Sequence, residues 1–176
     1  MKKLIIFYLF FIVSQIFPQT QQEIFETKRA EFKQQFLSAK NDIKRSSVFN
    51  NAANWSENFK NNLFDLNEYW YGKIIDIRTD QGGTKAAVEI RSSRYGIQVD
   101  YETDNELFTV YDELIIKKGS KLYSQLADLE IGQYVKFKFN FIDGGNRGVF
   151  EKSITEEGSI TEPEFVVKFI SIEPIE

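Results

Sequence analysis

From Tyr134 to Phe141 the chain reads YVKFKFNF, with Val135, Phe137, Phe139 and Phe141 on one face and Tyr134, Lys136, Lys138 and Asn140 on the other. A period of two belongs to an extended strand with one face buried, because successive side chains point to opposite sides of the backbone. Four large apolar groups on one face require a layer to cover them, so this segment commits the chain to a sheet with a core. Ile97, Val99 and Tyr101 alternate with Gln98, Asp100 and Glu102 in the same way. Further strands are expected at Trp70 to Arg78, Lys85 to Arg91 and Phe165 to Ile172. Asp80-Gln81-Gly82-Gly83 and Asp143-Gly144-Gly145-Asn146 supply the turn chemistry between them, and a short strand at Gly148 to Lys152 would complete the hairpin opened at Asp143.

Upstream of Tyr69 the period is helical. Phe25, Phe32, Phe36 and Ile43 recur at spacings of seven, four and seven, which predicts an amphipathic helix over residues 21–44. Lys28, Arg29, Lys33, Gln34 and Lys40 fall mostly on its other faces. A second helix is expected over 47–63, capped by Ser46 or Ser47, with Val48, Ala52, Trp55, Phe59 and Leu63 on one side. Aromatic residues at helical spacing face a core, so the two helices would pair as a hairpin or lie across the sheet. One more helix interrupts the β series: Ser120 can cap a turn starting at Lys121, Leu122, Leu126 and Leu129 follow at i, i+4 and i+7, and Gly132 stops it.

These elements define an α+β chain: an N-terminal helical pair followed by a small OB-like β-barrel with one short helix between strands three and four. An SH3-like barrel or an open meander would carry the same alternation. The organisation divides into residues 1–19, a helical segment at 20–68 and a barrel domain at 69–176. Residues 1–19, MKKLIIFYLFFIVSQIFPQ, run from two lysines through an apolar stretch to polar breakers and Pro18, the layout of a secretory signal peptide. The apolar run is shorter than the roughly 20 residues of a membrane crossing. The expectation is therefore an exported, periplasmic or extracellular protein that meets a membrane only if this segment is kept.

The chain has neither histidine nor cysteine. The commonest general base, thiolate nucleophiles and thiolate metal sites are therefore unavailable to it, and no cofactor motif is present. The net charge is −4 over the whole chain, and −6 once Lys2 and Lys3 leave with the leader. That balance disfavours nucleic acid, whose affinity for proteins rests on cations that neutralise phosphates.

The stretch Ile116-Lys117-Lys118-Gly119-Ser120-Lys121-Leu122-Tyr123, with Leu126, Leu129 and Gly132-Gln133-Tyr134-Val135-Lys136-Phe137, resembles a pattern in small exported bacterial proteins of unassigned function. These carry an OB-like domain similar to the tRNA-anticodon-binding-like group. Ile154 to Phe165, leading to Phe169, resembles the C-terminal signature of that group, and Trp70 and Gly72 resemble its opening strand. The resemblance spans most of residues 69–172. It implies the barrel, and by analogy of fold an oligonucleotide or oligosaccharide ligand, but it brings no established activity.

Two sets of residues are candidate ligand contacts. Tyr71, Tyr95 and Tyr134 are expected on the outside of the barrel as stacking surfaces, with Trp70 turned into the core. Lys117, Lys118 and Lys121 form the most basic local patch, beside a helix start whose ordinary reading is Ser120 as cap. Ser153 to Glu164 is expected to be a long β connection held by its own side-chain hydrogen bonds. Asp100, Glu102, Asp104 and Glu106 are dense, but acids alternating along a strand are expected to be solvated, without an apolar context to raise their pKa. The functional expectation is a non-catalytic binding or interaction module that engages a protein or envelope partner, with an oligosaccharide or oligonucleotide as the alternative ligand.

Overall fold

The computed structural model describes residues 19–103, 114–145 and 148–175. The expected leader, save Gln19, and the acids Asp104 and Glu106 lie outside the described residues. Two helices, α1 (Gln21–Ser38) and α2 (Asp42–Asn62), precede β1 (Trp70–Thr79), β2 (Lys85–Arg94), β3 (Ile97–Glu102) and the two-residue β4 (Ile116–Lys117). Then follow α3 (Lys121–Ala127), β5 (Tyr134–Phe141), α4 (Glu156–Thr161) and β6 (Glu164–Pro174).

Five of the strands close on themselves. The pairing runs β1–β5–β6–β3–β2 and returns from β2 to β1. All contacts are antiparallel except β3 with β6, where Asp100 to Glu102 run alongside Glu164 to Val166. With α3 inserted between β3 and β5, this is the closed five-stranded OB order, and it decides against the SH3-like barrel and the open meander. β1 bends at a register shift between Ile74 and Asp76. Just before the bend a Cβ on Gly72 would stand 2.6 Å from Ile90 Cγ2 and 2.9 Å from the Arg91 carbonyl oxygen. Only glycine lets the two strands approach that closely.

The core is continuous between barrel and helices. Phe25 of α1 is fully buried with its ring centroid 5.0–5.6 Å from those of Phe59, Trp55, Trp70, Phe141 and Phe165. The expected inward row of β5 is buried throughout, as is Trp70. At α3, Ser120 caps as expected by accepting from the N–H of Tyr123 at 3.1 Å, while Leu126 and Leu129 turn into the core.

Several local expectations are corrected. The first helix ends at Ser38 and not near residue 44, because the Asn41 side chain accepts from the N–H of Lys44 at 3.0 Å and starts α2 there. Ser46 and Ser47 are therefore helical, and Ile43 falls in the first turn of α2, 81% exposed. Leu63 follows the last turn of α2 and is also exposed. Arg29 is buried with Gln22 and Glu26, so α1 carries a polar strip beside its phenylalanines. Among the described residues, the segment after Asp143 forms the isolated bridges Asp143 with Val149 and Glu151 with Phe165 instead of a strand, and the connection over 153–164, held by side-chain hydrogen bonds to Glu151 and Thr155 as expected, also contains α4 (Glu156–Thr161). Thr155 caps α4 by accepting from the N–H of Gly158 at 3.0 Å. Finally, α3 stops at Asp128, and Gly132, with φ +93°, turns the chain into β5.

Because the rings of both layers meet at Phe25, Phe25→Ala is expected to lower the unfolding free energy by about 3–5 kcal/mol. Tryptophan fluorescence and far-ultraviolet circular dichroism in urea should still report one coincident transition. Separate transitions for helices and barrel would show two cores.

Candidate binding site

β1 pairs with β5 only through Trp70 to Lys73 and with β2 only from Lys73 to Thr79. Beyond Arg91, β2 leaves β1 and pairs with β3 alone. The first residues of β1 therefore have an open side, and a groove of about 320 Å³ lies there. Direct opposition of Tyr71 with Lys136, and of Lys73 with Tyr134 and Arg91, puts all five on the outer wall of the barrel. Tyr71, Lys73 and Tyr134 line one side of the groove, and Arg91, Ser92, Ser93 and Arg94 the other.

The open backbone of Tyr71 is closed by a side chain. Its N–H donates to Gln22 Oε1 at 2.8 Å, and its carbonyl accepts from Gln22 Nε2 at 2.8 Å. The amide of Gln22 thus takes the place of a neighbouring strand. Behind it Glu26 accepts from Gln22 Nε2 at 2.8 Å, Ser92 Oγ at 2.7 Å and Tyr101 Oη at 3.2 Å. Burial raises the Glu26 carboxyl above its ordinary range, and these three hydrogen bonds hold it back.

The wall is basic and aromatic. The Arg94 guanidinium lies 5.8 Å from the Tyr71 ring centroid. The ammonium groups of Lys136 and Lys138 lie 4.9 and 4.3 Å from that of Tyr69, whose hydroxyl donates to Glu173 at 3.1 Å. That hydrogen bond, followed by Lys136, holds the Glu173 carboxyl below its usual range. No carboxylate lines the groove itself. Arg91 is committed to Asp100 by a two-pronged pair at 2.7 and 2.8 Å, so Lys73 and Arg94 are the cations that face a ligand.

Of the six residues singled out from the sequence, Tyr71 and Tyr134 come together here, Tyr134 being 62% exposed. Tyr95 sits in the adjoining turn between β2 and β3, in the left-handed region at φ 53°, and does not line the groove. Lys117 and Lys118 lie at the far end of β2, where Lys117 opposes Lys85 and the N–H of Lys118 donates to the Thr84 carbonyl. Lys117 is thus about 20–26 Å along β2 from the level of Tyr134 and Tyr71, whereas Lys121 is near enough to Glu173, the β6 neighbour of Lys136, to help lower its carboxyl pKa. Sequence reasoning missed Lys73 and Arg94. Lys73 was legible as the next outward residue after Tyr71, whereas Arg94 reaches the groove only because β2 diverges.

The strand acids also need correction. Asp100 and Glu102 are buried, not solvated. Lys152 Nζ stands 3.1 Å from Glu102 Oε1, outside hydrogen-bond geometry. Burial first, with the carboxylates of Glu164 and Glu89 adding to it, pushes the Glu102 carboxyl up to about 7. Asp100 and Glu102 do not line the groove. Among the described residues no cluster of three or more acids is arranged to hold a metal ion.

Comparison with known proteins adds nothing to this geometry: no family model, no curated protein and no solved structure matches the chain. The class is defined by the fold and the wall together. It is an OB-type barrel capped by a helical pair, with an aromatic and cationic groove where its first strand changes partners.

Two measurements check this site. Gln22→Leu leaves the Tyr71 peptide without its side-chain partner and removes one of the three hydrogen bonds to Glu26, and it is expected to destabilise the fold by about 2–4 kcal/mol in urea titrations. Glu102 takes up its proton at higher pH folded than unfolded, so between about pH 4.5 and about 7 stability falls as pH rises. The melting temperature should be higher at pH 5 than at pH 8 by roughly 3 °C or more, and Glu102→Gln should flatten that difference.

Proposed function

We propose that this protein is an exported, non-catalytic binding module, a member of the OB-like group that its sequence resembles. The groove beside Tyr71 would receive an acidic segment of an envelope partner protein. One observation carries the reading: in a chain of net charge −4, the groove presents two tyrosines and the cations Lys73 and Arg94, with Arg91 already paired to Asp100 and no carboxylate in the lining. Such a lining favours a ligand with negative charge and a flat or apolar surface. Export is supported by the layout of residues 1–19, and a non-catalytic role by a groove lining that holds no carboxylate to serve as general acid or base.

The exposure of Tyr134 favours a second reading, an acidic oligosaccharide stacked on that ring. Long nucleic acid is disfavoured by the overall acidity. The chain from residue 20, used as bait against an envelope extract, is expected to retain one stoichiometric protein. The double variant Tyr134→Ala with Arg94→Ala should weaken that retention at least about tenfold, near 1.4 kcal/mol. Retention of acidic oligosaccharides instead would select the second reading. Retention that the double variant leaves unchanged would remove the groove as the site.

A further inference from the structure

Away from the groove, the two helices, α4 and the connection from β5 to β6 meet around a cavity of about 20 Å³. Arg29, Ser56, Glu151 and Ser159 supply its polar lining. Arg29 is buried, its Nη2 donating to the Ser159 carbonyl and its guanidinium lying 5.4 Å from the Phe165 ring centroid. Its Nε has no hydrogen-bond partner in the protein, and neither has the buried Oγ of Ser56. Burial lowers the Arg29 pKa to about 10, and Glu151 is the first charge that opposes the shift.

The carboxylate of Glu151 is nearly filled. Oε1 accepts from the N–H groups of Ser153 and Glu164 at 3.1 and 3.2 Å, and Oε2 accepts from the Ser159 hydroxyl. A carboxylate has about four acceptor positions, so one is left. Three groups bordering one small space are thus incomplete: a donor on Arg29, an acceptor position on Glu151 and a hydroxyl on Ser56 that can do either.

We propose that this cavity is a binding site for a single structural water, which bridges the buried Arg29 and Glu151 through Ser56. The water accepts from Arg29 Nε–H, donates to the remaining position on Glu151 and exchanges its third hydrogen bond with the Ser56 hydroxyl. Size and charge select it. The volume exceeds the ~10–15 Å³ that one water needs, and buried waters typically make about three hydrogen bonds. An anion would meet the Glu151 carboxylate, and a cation would meet the guanidinium. The bridge ties α1 and α2 to the connection from β5 to β6, so the helices cannot lift away without breaking the support of a buried charge.

Nuclear magnetic resonance on the chain from residue 20 tests this directly. The Arg29 Nε–H resonance is expected to show a cross-peak at the water frequency with the sign of a slowly tumbling, long-lived contact. Ser56→Val, which fills the space with methyl groups, should abolish that cross-peak, whereas Ser56→Ala should keep it. A protected Arg29 Nε–H without a water cross-peak would overturn the proposal, as would an equal cross-peak in Ser56→Val. Should Ser56→Val not fold, a crystal structure of the unmodified chain decides. A water about 2.7–3.2 Å from Arg29 Nε, Ser56 Oγ and Glu151 supports the site; a direct contact of Arg29 with Glu151 that closes the cavity removes it.

Discussion

Trp70 to Lys73 pair with β5, and Lys73 to Thr79 pair with β2, so β1 hands its hydrogen bonds from one neighbour to the other within ten residues. This exchange closes five strands into a barrel without a sixth, and it leaves one stretch of backbone with a free side. A buried peptide group without a partner costs about 1–3 kcal/mol, so something must occupy that side. Gln22 does, with a donor and an acceptor both at 2.8 Å from the Tyr71 peptide. The helical layer is therefore part of how the barrel is completed. The groove lies on the outer wall at the same gap.

Behind Gln22 the α1 helix carries two chemistries at once. Phe25, Phe32 and Phe36 are buried, and beside them so are Gln22, Glu26 and Arg29 at i, i+4 and i+7. Burial raises Glu26 and lowers Arg29, so the strip is held at an electrostatic cost, relieved by hydrogen bonds to β2, β3 and α4. Apolar packing alone would let the helix slide by a turn. Paired polar groups fix its register, because any other alignment strands a buried donor or acceptor.

Much of the barrel was legible from the chain. The outward and inward rows of β5, the inward Trp70, the cap at Ser120 and the turn at Asp80 all follow from local periodicity and turn chemistry. What escaped was local competition and long-range pairing. Asn41 outcompeted Ser46 and Ser47 as a cap. Thr155 with Glu156 and Glu157 was a readable helix start that the glycine and serines after it disguised. Arg29 looked like a surface charge because its partners, Ser159 and Phe165, are some 130 residues away. The site was half readable: alternation turned Tyr71 and Tyr134 outward, but it could not bring Arg94 beside them or place Lys117 at the far end of β2.

By itself the sequence determined which residues could alternate, cap and turn, and hence an α+β chain with a helical pair, a β series and one helix between its third and fourth long strands. These properties are local, set by the geometry of neighbouring residues along the backbone. Only the tertiary structure decided that the strands close, that β3 lies parallel to β6, and that Gln22 substitutes for a missing strand. Each of these depends on which distant backbone groups are left without a partner once the core has formed.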